Sequence, residues 1–142
     1  MKGGVIEGGS RAVIAKSGAT FNMSGGEIRN RKDGSGNGGG VHVYGATFVM
    51  SGGTINGCSA DTGGGLCAEE SSTVTISGGT ISGCETSAGV GAGGGLYAKN
   101  QSTITINGTI SGCTAGAGGG LFVDSSTVRI SGGIISGCIT SD

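Results

Sequence analysis

The chain has 142 residues, enough for one domain, and its 8 Lys and Arg nearly balance its 9 Asp and Glu. A net charge of −1 without a basic cluster excludes recognition of a phosphate backbone, so we expect no nucleic-acid partner. Glycine supplies 36 residues and proline none, a bias that indicates disorder only when it lacks a period. Here the glycines recur at regular intervals, so the high glycine content indicates a repeat structure and not disorder.

The N-terminal residues, MKGGVIEGGSRAVIAKSG, lack the apolar core of a signal peptide. No apolar run is long enough to form a membrane-spanning helix, so we expect no membrane insertion. Two interpretations stay open at this point. The chain is cytosolic or exported as a complete protein, or it is a piece of a larger one.

A partial copy of the repeat at 1–9 is followed by a degenerate copy, SRAVIAKSGATFNMSGGEIRN, at 10–30. Four further copies start at the glycine triplets of Gly38, Gly63, Gly93 and Gly118, with steps of 63−38 = 25, 93−63 = 30 and 118−93 = 25. Each copy reads GGG, a short apolar segment, a segment such as STVTI, and then SGGTISGC. We therefore predict one domain over 1–142, with five coils at about 10–37, 38–62, 63–92, 93–117 and 118–142.

Each copy holds three short segments in which apolar and polar residues alternate, as they do in half-buried strands. Three strands in about 25 residues is the size of one turn of a parallel β-helix, and we predict this all-β fold. Aligned positions should then stack in apolar columns. The inward columns are Val13, Val41, Leu66, Leu96 and Leu121; Phe21, Phe48, Val74, Ile104 and Val128; Met23, Met50, Ile76, Ile106 and Ile130; and Ile28, Ile55, Ile81, Ile110 and Ile135.

The stretch GGGLCAEESSTVTISGGTISGC resembles the glycine-rich repeats of bacterial surface proteins with a pectin-lyase-like fold, such as adhesins and autotransporter passengers. The resemblance implies that the predicted fold is a right-handed parallel β-helix. The segments GGVI at 3–6 and GGII at 132–135 are similar to a short motif of the polymorphic outer-membrane proteins. The resemblance implies an extracellular or cell-surface location, in a larger or separately exported protein. In such repeats the position after Ser-Gly is often Asn, whereas this chain has Cys there in four coils and Arg31 in the first.

The first strand of each coil also has an outward position. It should form one stripe, which is either a contact surface for a partner or a set of scattered surface residues. The stripe consists of Ile14, His42, Cys67, Tyr97 and Phe122. Cys67 stands alone in it and is our candidate for a reactive thiol.

The second strand presents an outward threonine column. Two regular Thr columns on a flat face could bind ice or carbohydrate, although Thr also suits any exposed strand position. The candidate face consists of Thr20, Thr47, Thr73, Thr75, Thr103, Thr105 and Thr127.

Four cysteines share one aligned position after the third strand: Cys58, Cys84, Cys113 and Cys138. Stacking as small apolar side chains explains them best. Disulfides would be strained because side chains in register point in parallel, and a straight column does not converge on a zinc ion. We therefore expect neither a metal nor another cofactor.

Catalysis has little support in the sequence. The chain has one histidine, and the adjacent Glu69 and Glu70 would point to opposite faces of a strand. A polysaccharide lyase or hydrolase is kept as the second alternative to a structural role. The segments 32–37, 59–62, 85–92 and 114–117 are rich in small residues and are interpreted as flexible spacers.

The chain opens in the third strand of the repeat and closes just after the same strand, without a polar cap. An uncapped coil exposes apolar side chains and strand edges, so we expect head-to-tail stacking of copies or continuation into a longer β-helix. The predicted function is a non-catalytic, rigid structural or adhesion module, with a protein or glycan receptor as a further expected partner. Ice or carbohydrate binding on the Thr face is the first alternative.

Overall fold

A computed structural model describes residues 1–30, 35–87 and 89–141, and within these ranges it contains strands and no helix. The strands are β1 (Val5–Glu7), β2 (Val13–Lys16), β3 (Thr20–Arg29), β4 (Val41–Tyr44), β5 (Thr47–Asn56), β6 (Ser59–Ala60), β7 (Leu66–Glu69), β8 (Thr73–Ile76), β9 (Thr80–Ser82), β10 (Glu85–Thr86), β11 (Leu96–Ala98), β12 (Thr103–Ile106), β13 (Thr109–Ser111), β14 (Thr114–Ala115), β15 (Leu121–Val123), β16 (Thr127–Ile130), β17 (Ile134–Ser136) and β18 (Ile139–Thr140).

All strand pairs are parallel, and each strand pairs with the equivalent strand of a neighbouring coil. The first face runs β2-β4-β7-β11-β15. The second face joins the N-terminal halves of β3 and β5 to β8, β12 and β16. The third face joins β1 to the C-terminal halves of β3 and β5 and then to β9, β13 and β17. The prediction of a stacked parallel solenoid of about five coils is confirmed.

The four inward columns pair in the predicted register through all five coils. Aromatic and Met side chains supply the bulk at the N-terminal end, where the Phe21 and Phe48 rings stack with centroids 5.8 Å apart. Corners between the second and third faces use left-handed glycines such as Gly79, with φ of 87°. A Cβ there would lie 2.6 Å from the Met50 Cε, so the corner glycine makes room for the core side chain below it.

The described parts of the segments interpreted as flexible spacers form a fourth face instead, and residues 32–34 and 88 of these segments lie outside the described residues. The two-residue strands of this face run in the order β18-β14-β10-β6, and isolated bridges join Asn37, Thr62, Ala92 and Ala117. The spacer interpretation is wrong for these paired residues. Ala60, Thr86 and Ala115 point inward on this face and are buried. Strands of two residues are too short to show an alternation of apolar and polar residues, so the sequence did not predict them.

Within the described residues, coil five differs from the coils below it because it has a neighbouring coil on one side alone. Its inward Ile130 is 47% exposed, whereas the equivalent Ile106 in coil four is fully buried. The edges of β15, β16, β17 and β18 are the last in their sheets within the described residues.

Candidate functional site

The outward stripe of the first face is not the continuous exposed surface that the sequence predicts. Ile14 is 48% exposed, but His42 is only 6% exposed and Cys67 is fully buried. Tyr97 and Phe122 are half-buried, and their rings meet edge to face with centroids 5.4 Å apart. The five side chains therefore do not share one solvent-facing surface, and their role in partner contact stays a prediction.

Glu69 is the centre of a polar cluster on this face. Its Oε1 accepts a hydrogen bond from Asn37 Nδ2 at 3.1 Å and contacts His42 Nε2. Its Oε2 forms an ion pair with Lys99 Nζ at 2.8 Å. Asn37 ends coil one, and His42, Glu69 and Lys99 belong to coils two, three and four, so the cluster joins four consecutive coils across their outer surface. Sequence reasoning missed Asn37 and His42 as partners of Glu69.

Burial by itself would raise the pKa of Glu69, but hydrogen bonds from Lys99, Asn37 and His42 outweigh it and leave that pKa below its usual value. Burial lowers the pKa of His42 in spite of Glu69, so the imidazole is neutral at pH 7. Burial would also lower the pKa of Lys99, but the Glu69 carboxylate raises it. The cluster thus holds one negative and one positive charge at neutral pH, with a neutral imidazole beside them.

Cys67 lies next to this cluster, between His42 and Tyr97 in the register of the sheet. Burial raises the pKa of its thiol to about 12, and the Glu69 carboxylate contributes to the rise. The thiol is therefore protonated at neutral pH and out of contact with solvent. The prediction that Cys67 is a reactive thiol is wrong.

The threonines of the second face stand in register as predicted from the repeat. The column of Thr20, Thr47, Thr73, Thr103 and Thr127 pairs strand to strand, and all of its members except the half-buried Thr47 are exposed. The second column contains threonine in only two of its coils. Its half-buried Thr75 and Thr105 lie between Val49 and the exposed Arg129.

The aligned cysteines stand as free thiols in the core. Cys58, Cys84 and Cys113 are fully buried, and Cys138 in coil five is half-buried. Each lies against the last glycine of its coil's triplet: a Cβ on Gly65 would be 3.2 Å from Cys84 Sγ. Their thiols approach backbone carbonyls two residues back, as Cys84 Sγ does toward Ser82 O at 3.3 Å. Burial raises the pKa of Cys138.

Coil one departs from the cysteine column. Arg31, which aligns with the cysteines in the sequence, lies outside the described residues. Asn30 is fully buried instead, and its Nδ2 donates a hydrogen bond to Gly39 O at 3.2 Å. The sequence alignment missed this buried amide because it assigned Asn30 to the position of an exposed corner glycine, Gly57.

Coil five carries apolar residues even at positions that are polar in the coils below. Ile134 is 59% exposed in a column whose other members include Thr54, Thr80 and Thr109. Ile139, 60% exposed, follows Ser59, Glu85 and Thr114 on the fourth face. Together with Ile130 and the 38% exposed Ile135, they form an apolar rim that we call the C-terminal edge.

The family comparison agrees with this architecture. The model of the right-handed β-helix region matches residues 3–141, nearly the whole chain. The chain belongs to the right-handed β-helix family. The searches of curated proteins and of solved structures found no significant match.

Two further findings concern metal binding and membrane-spanning helices. Within 1–30, 35–87 and 89–141, no three His, Cys, Asp or Glu residues are grouped so that they could hold a metal ion. The same ranges contain no helix that is long and apolar enough to cross a membrane.

Proposed function

We propose that this β-helix is a non-catalytic structural module that works by stacking coil on coil at its C-terminal edge. The coil that it receives belongs to a second copy or to the rest of a longer surface protein, in which the rigid rod serves adhesion or assembly. The observation that carries the proposal is the set of isoleucines at that edge, above all Ile134 and Ile139.

These two residues support the proposal more strongly than Ile130 and Ile135. Inward residues of any outermost coil are partly exposed. Ile134 and Ile139 instead occupy outward-facing columns, where coils two to four use Thr, Ser or Glu. Contiguous apolar residues at a surface indicate a contact with another surface.

The Glu69 cluster favours a structural role over catalysis. A catalytic carboxylate needs access to substrate and a free position for the proton it moves. Both oxygens of Glu69 are occupied by Lys99, Asn37 and His42, and its side chain is buried. The polysaccharide lyase alternative predicts unsaturated products from acidic glycans, and the structural role predicts none.

An added coil tests the proposal. A copy of residues 93–117 joined after Asp142 continues the repeat in phase, because Asp142 aligns with Ala117. Repeat proteins gain stability from each matched interface, so we expect Tm to rise by roughly 4 °C or more. A scrambled segment of the same composition is the control. An equal Tm for the matched and the scrambled extensions would contradict the proposal.

The threonine column supports a second candidate, which is binding of ice or carbohydrate on the second face. Its exposed residues repeat at the strand spacing of about 4.8 Å, and Thr73, Thr103 and Thr127 form an unbroken run. Thermal hysteresis or glycan-array binding that is lost in Thr103→Lys but kept in Gln101→Lys would establish this candidate. Gln101 is an exposed residue just outside the column.

A further inference from the structure

Strand β1 occupies a position that the repeat assigns to a third-face strand. It pairs with β3 as Val5↔Glu27, Ile6↔Ile28 and Glu7↔Arg29. Strand β17 pairs with β13 in the same phase, with Ile135 opposite Ile110. Ile6 and Ile135 are therefore equivalent residues of one column, at opposite ends of the solenoid.

The phase of the two ends determines how a second copy would fit. The last strand of coil five is β18 on the fourth face, and the next strand in the order of the repeat belongs to the first face, which is the place of β2. If β2 of a second copy pairs with β15 on the first face, apolar residues of the two copies become neighbours in each inward column. The resulting neighbours are Leu121 with Val13, Phe122 with Ile14, Val128 with Phe21, Ile130 with Met23, and Ile135 with Ile28.

This arrangement has one conflict. The edge of β3 that would receive β17 of the other copy is already occupied by β1 of the same chain. Both strands cannot pair with that edge. A copy with β1 in place can approach the C-terminal edge only with a gap of one strand on the first two faces.

Strand β1 has three paired residues, and Ile6 is half-buried against the core. The residues around it add backbone hydrogen bonds from Ser24 N to Met1 O at 2.8 Å, from Glu27 N to Gly4 O at 2.9 Å and from Gly8 N to Arg29 O at 3.2 Å. The Met1 side chain reaches the Gly26 corner, where a Cβ would lie 2.6 Å from Met1 Cε. Glu7 Oε2 accepts hydrogen bonds from Arg29 Nε at 3.0 Å and Nη2 at 2.9 Å, at an exposed position where an ion pair contributes little.

We propose that β1 competes in cis with β17 of a second copy for the same edge of β3, so that release of β1 permits end-to-end assembly. The inference rests on the proposed function and names its partner, a second copy of this chain. Docked β1 keeps most copies unable to receive another. When β1 is released, its pairing with β3 is lost, and pairings of β15, β16 and β17 with the next copy are gained on the first three faces. Because the contact is heterologous, successive copies would add in one direction.

Sedimentation velocity over a concentration series tests the proposal with the full chain and three variants. Ile6→Gly removes the side chain that anchors β1, and Glu7→Ala removes the ion pair with Arg29. Val5→Thr is the control, because Val5 faces outward in a column that elsewhere accepts Thr. A larger competent fraction lowers the apparent dissociation constant in proportion. We expect Ile6→Gly to associate at least tenfold more tightly than the intact chain, Glu7→Ala to be intermediate, and Val5→Thr to be unchanged.

The double variant Ile6→Gly/Ile135→Lys separates this mechanism from non-specific aggregation. It should return to a monomer, because the lysine lies in the edge that β3 of the next copy would cover. Circular dichroism melts establish that each variant is folded. Association of Ile6→Gly equal to that of the intact chain, or association that persists in the double variant, would overturn the proposal.

The added-coil experiment keeps the two proposals distinct. If the added coil raises Tm while every β1 variant behaves like the intact chain, coil stacking stands and competition by β1 fails. If the added coil has no effect, the proposed function fails as well.

Discussion

Ile106 and Ile130 occupy the same column one coil apart, yet the first is fully buried and the second is about half-exposed. The two coils share the repeat and the register, and they differ in having neighbours on two sides or on one. The difference teaches that the contribution of a core residue to the free energy of unfolding depends on the coil above it as much as on its own coil. Matched substitutions in inner coils and in coil five can measure that dependence.

The largest contrast is expected for the core isoleucines. Ile106→Ala leaves a cavity in a closed interior and should cost about 3 kcal/mol, because the residues around it can relax only in part. Ile130→Ala removes a side chain that is already half in water and should cost less than about 1 kcal/mol. Urea unfolding of both variants checks this. Equal losses would mean that coil five is covered in solution.

Glycine substitutions should give the next contrast. A Cβ on Gly65 would lie 2.6 Å from both Gly95 O of the next coil and Ile81 Cγ2. Gly65→Ala should therefore cost about 2 kcal/mol through overpacking. A Cβ on Gly120 would instead meet only side-chain atoms of Ile135 and Cys138, and no backbone atom is among its three nearest neighbours. Gly120→Ala should cost under about 1 kcal/mol, as measured by the same urea titration.

The carboxylates of one outward column provide a third contrast. Glu69→Gln leaves Lys99 without its partner and should cost about 1–2 kcal/mol, since the pair is only partly shielded from solvent. Asp124→Asn, one coil beyond Lys99 and exposed, should stay within about 0.5 kcal/mol of the wild type.

The Glu69 contrast should depend on pH. The pKa of Glu69 is lowered in the folded state, so its contribution is present above the ordinary value of 4.5 and is lost as pH falls through the folded pKa. Urea titrations of the wild type and Glu69→Gln should therefore converge in acid. A difference that is constant from pH 7 to pH 3 would contradict the assignment.

The last contrast concerns the rate at which two of the aligned cysteines react with an alkylating reagent. Cys138 is half-buried and Cys84 is fully buried behind coils on both sides. Alkylation under native conditions should modify Cys138 at least tenfold faster than Cys84, since the latter reacts only through local opening. Mass spectrometry of the labelled peptides gives both rates. Comparable rates would mean that the inner column opens as readily as the edge.

Much of this fold follows from the sequence because alternation and glycine spacing fix the same register. Columns such as Ile55 with Ile81 need only a period and an inward phase. The fourth face could not be predicted, since a pair such as Ser59–Ala60 is too short to show alternation.

The candidate site was less predictable for a related reason. Alternation correctly places His42 and Cys67 outward from the first strand, but it does not say what covers them. Asn37 and Glu69, which contact each other and line this face, come from different coils. Whether an outward residue is exposed thus depends on contacts between segments that the repeat does not align.

Hydrogen exchange of coil five tests most directly whether the C-terminal edge is a coil-stacking surface. Peptides from residues 118–141 can be followed in the intact chain and in the chain extended by a copy of 93–117, whose sequence differs from theirs. We predict that the extension slows exchange in β15, β16 and β17 at least tenfold, because their free edges gain hydrogen-bonded neighbours, and that β7 and β8 in coil three do not change. Unchanged exchange in coil five would contradict the account.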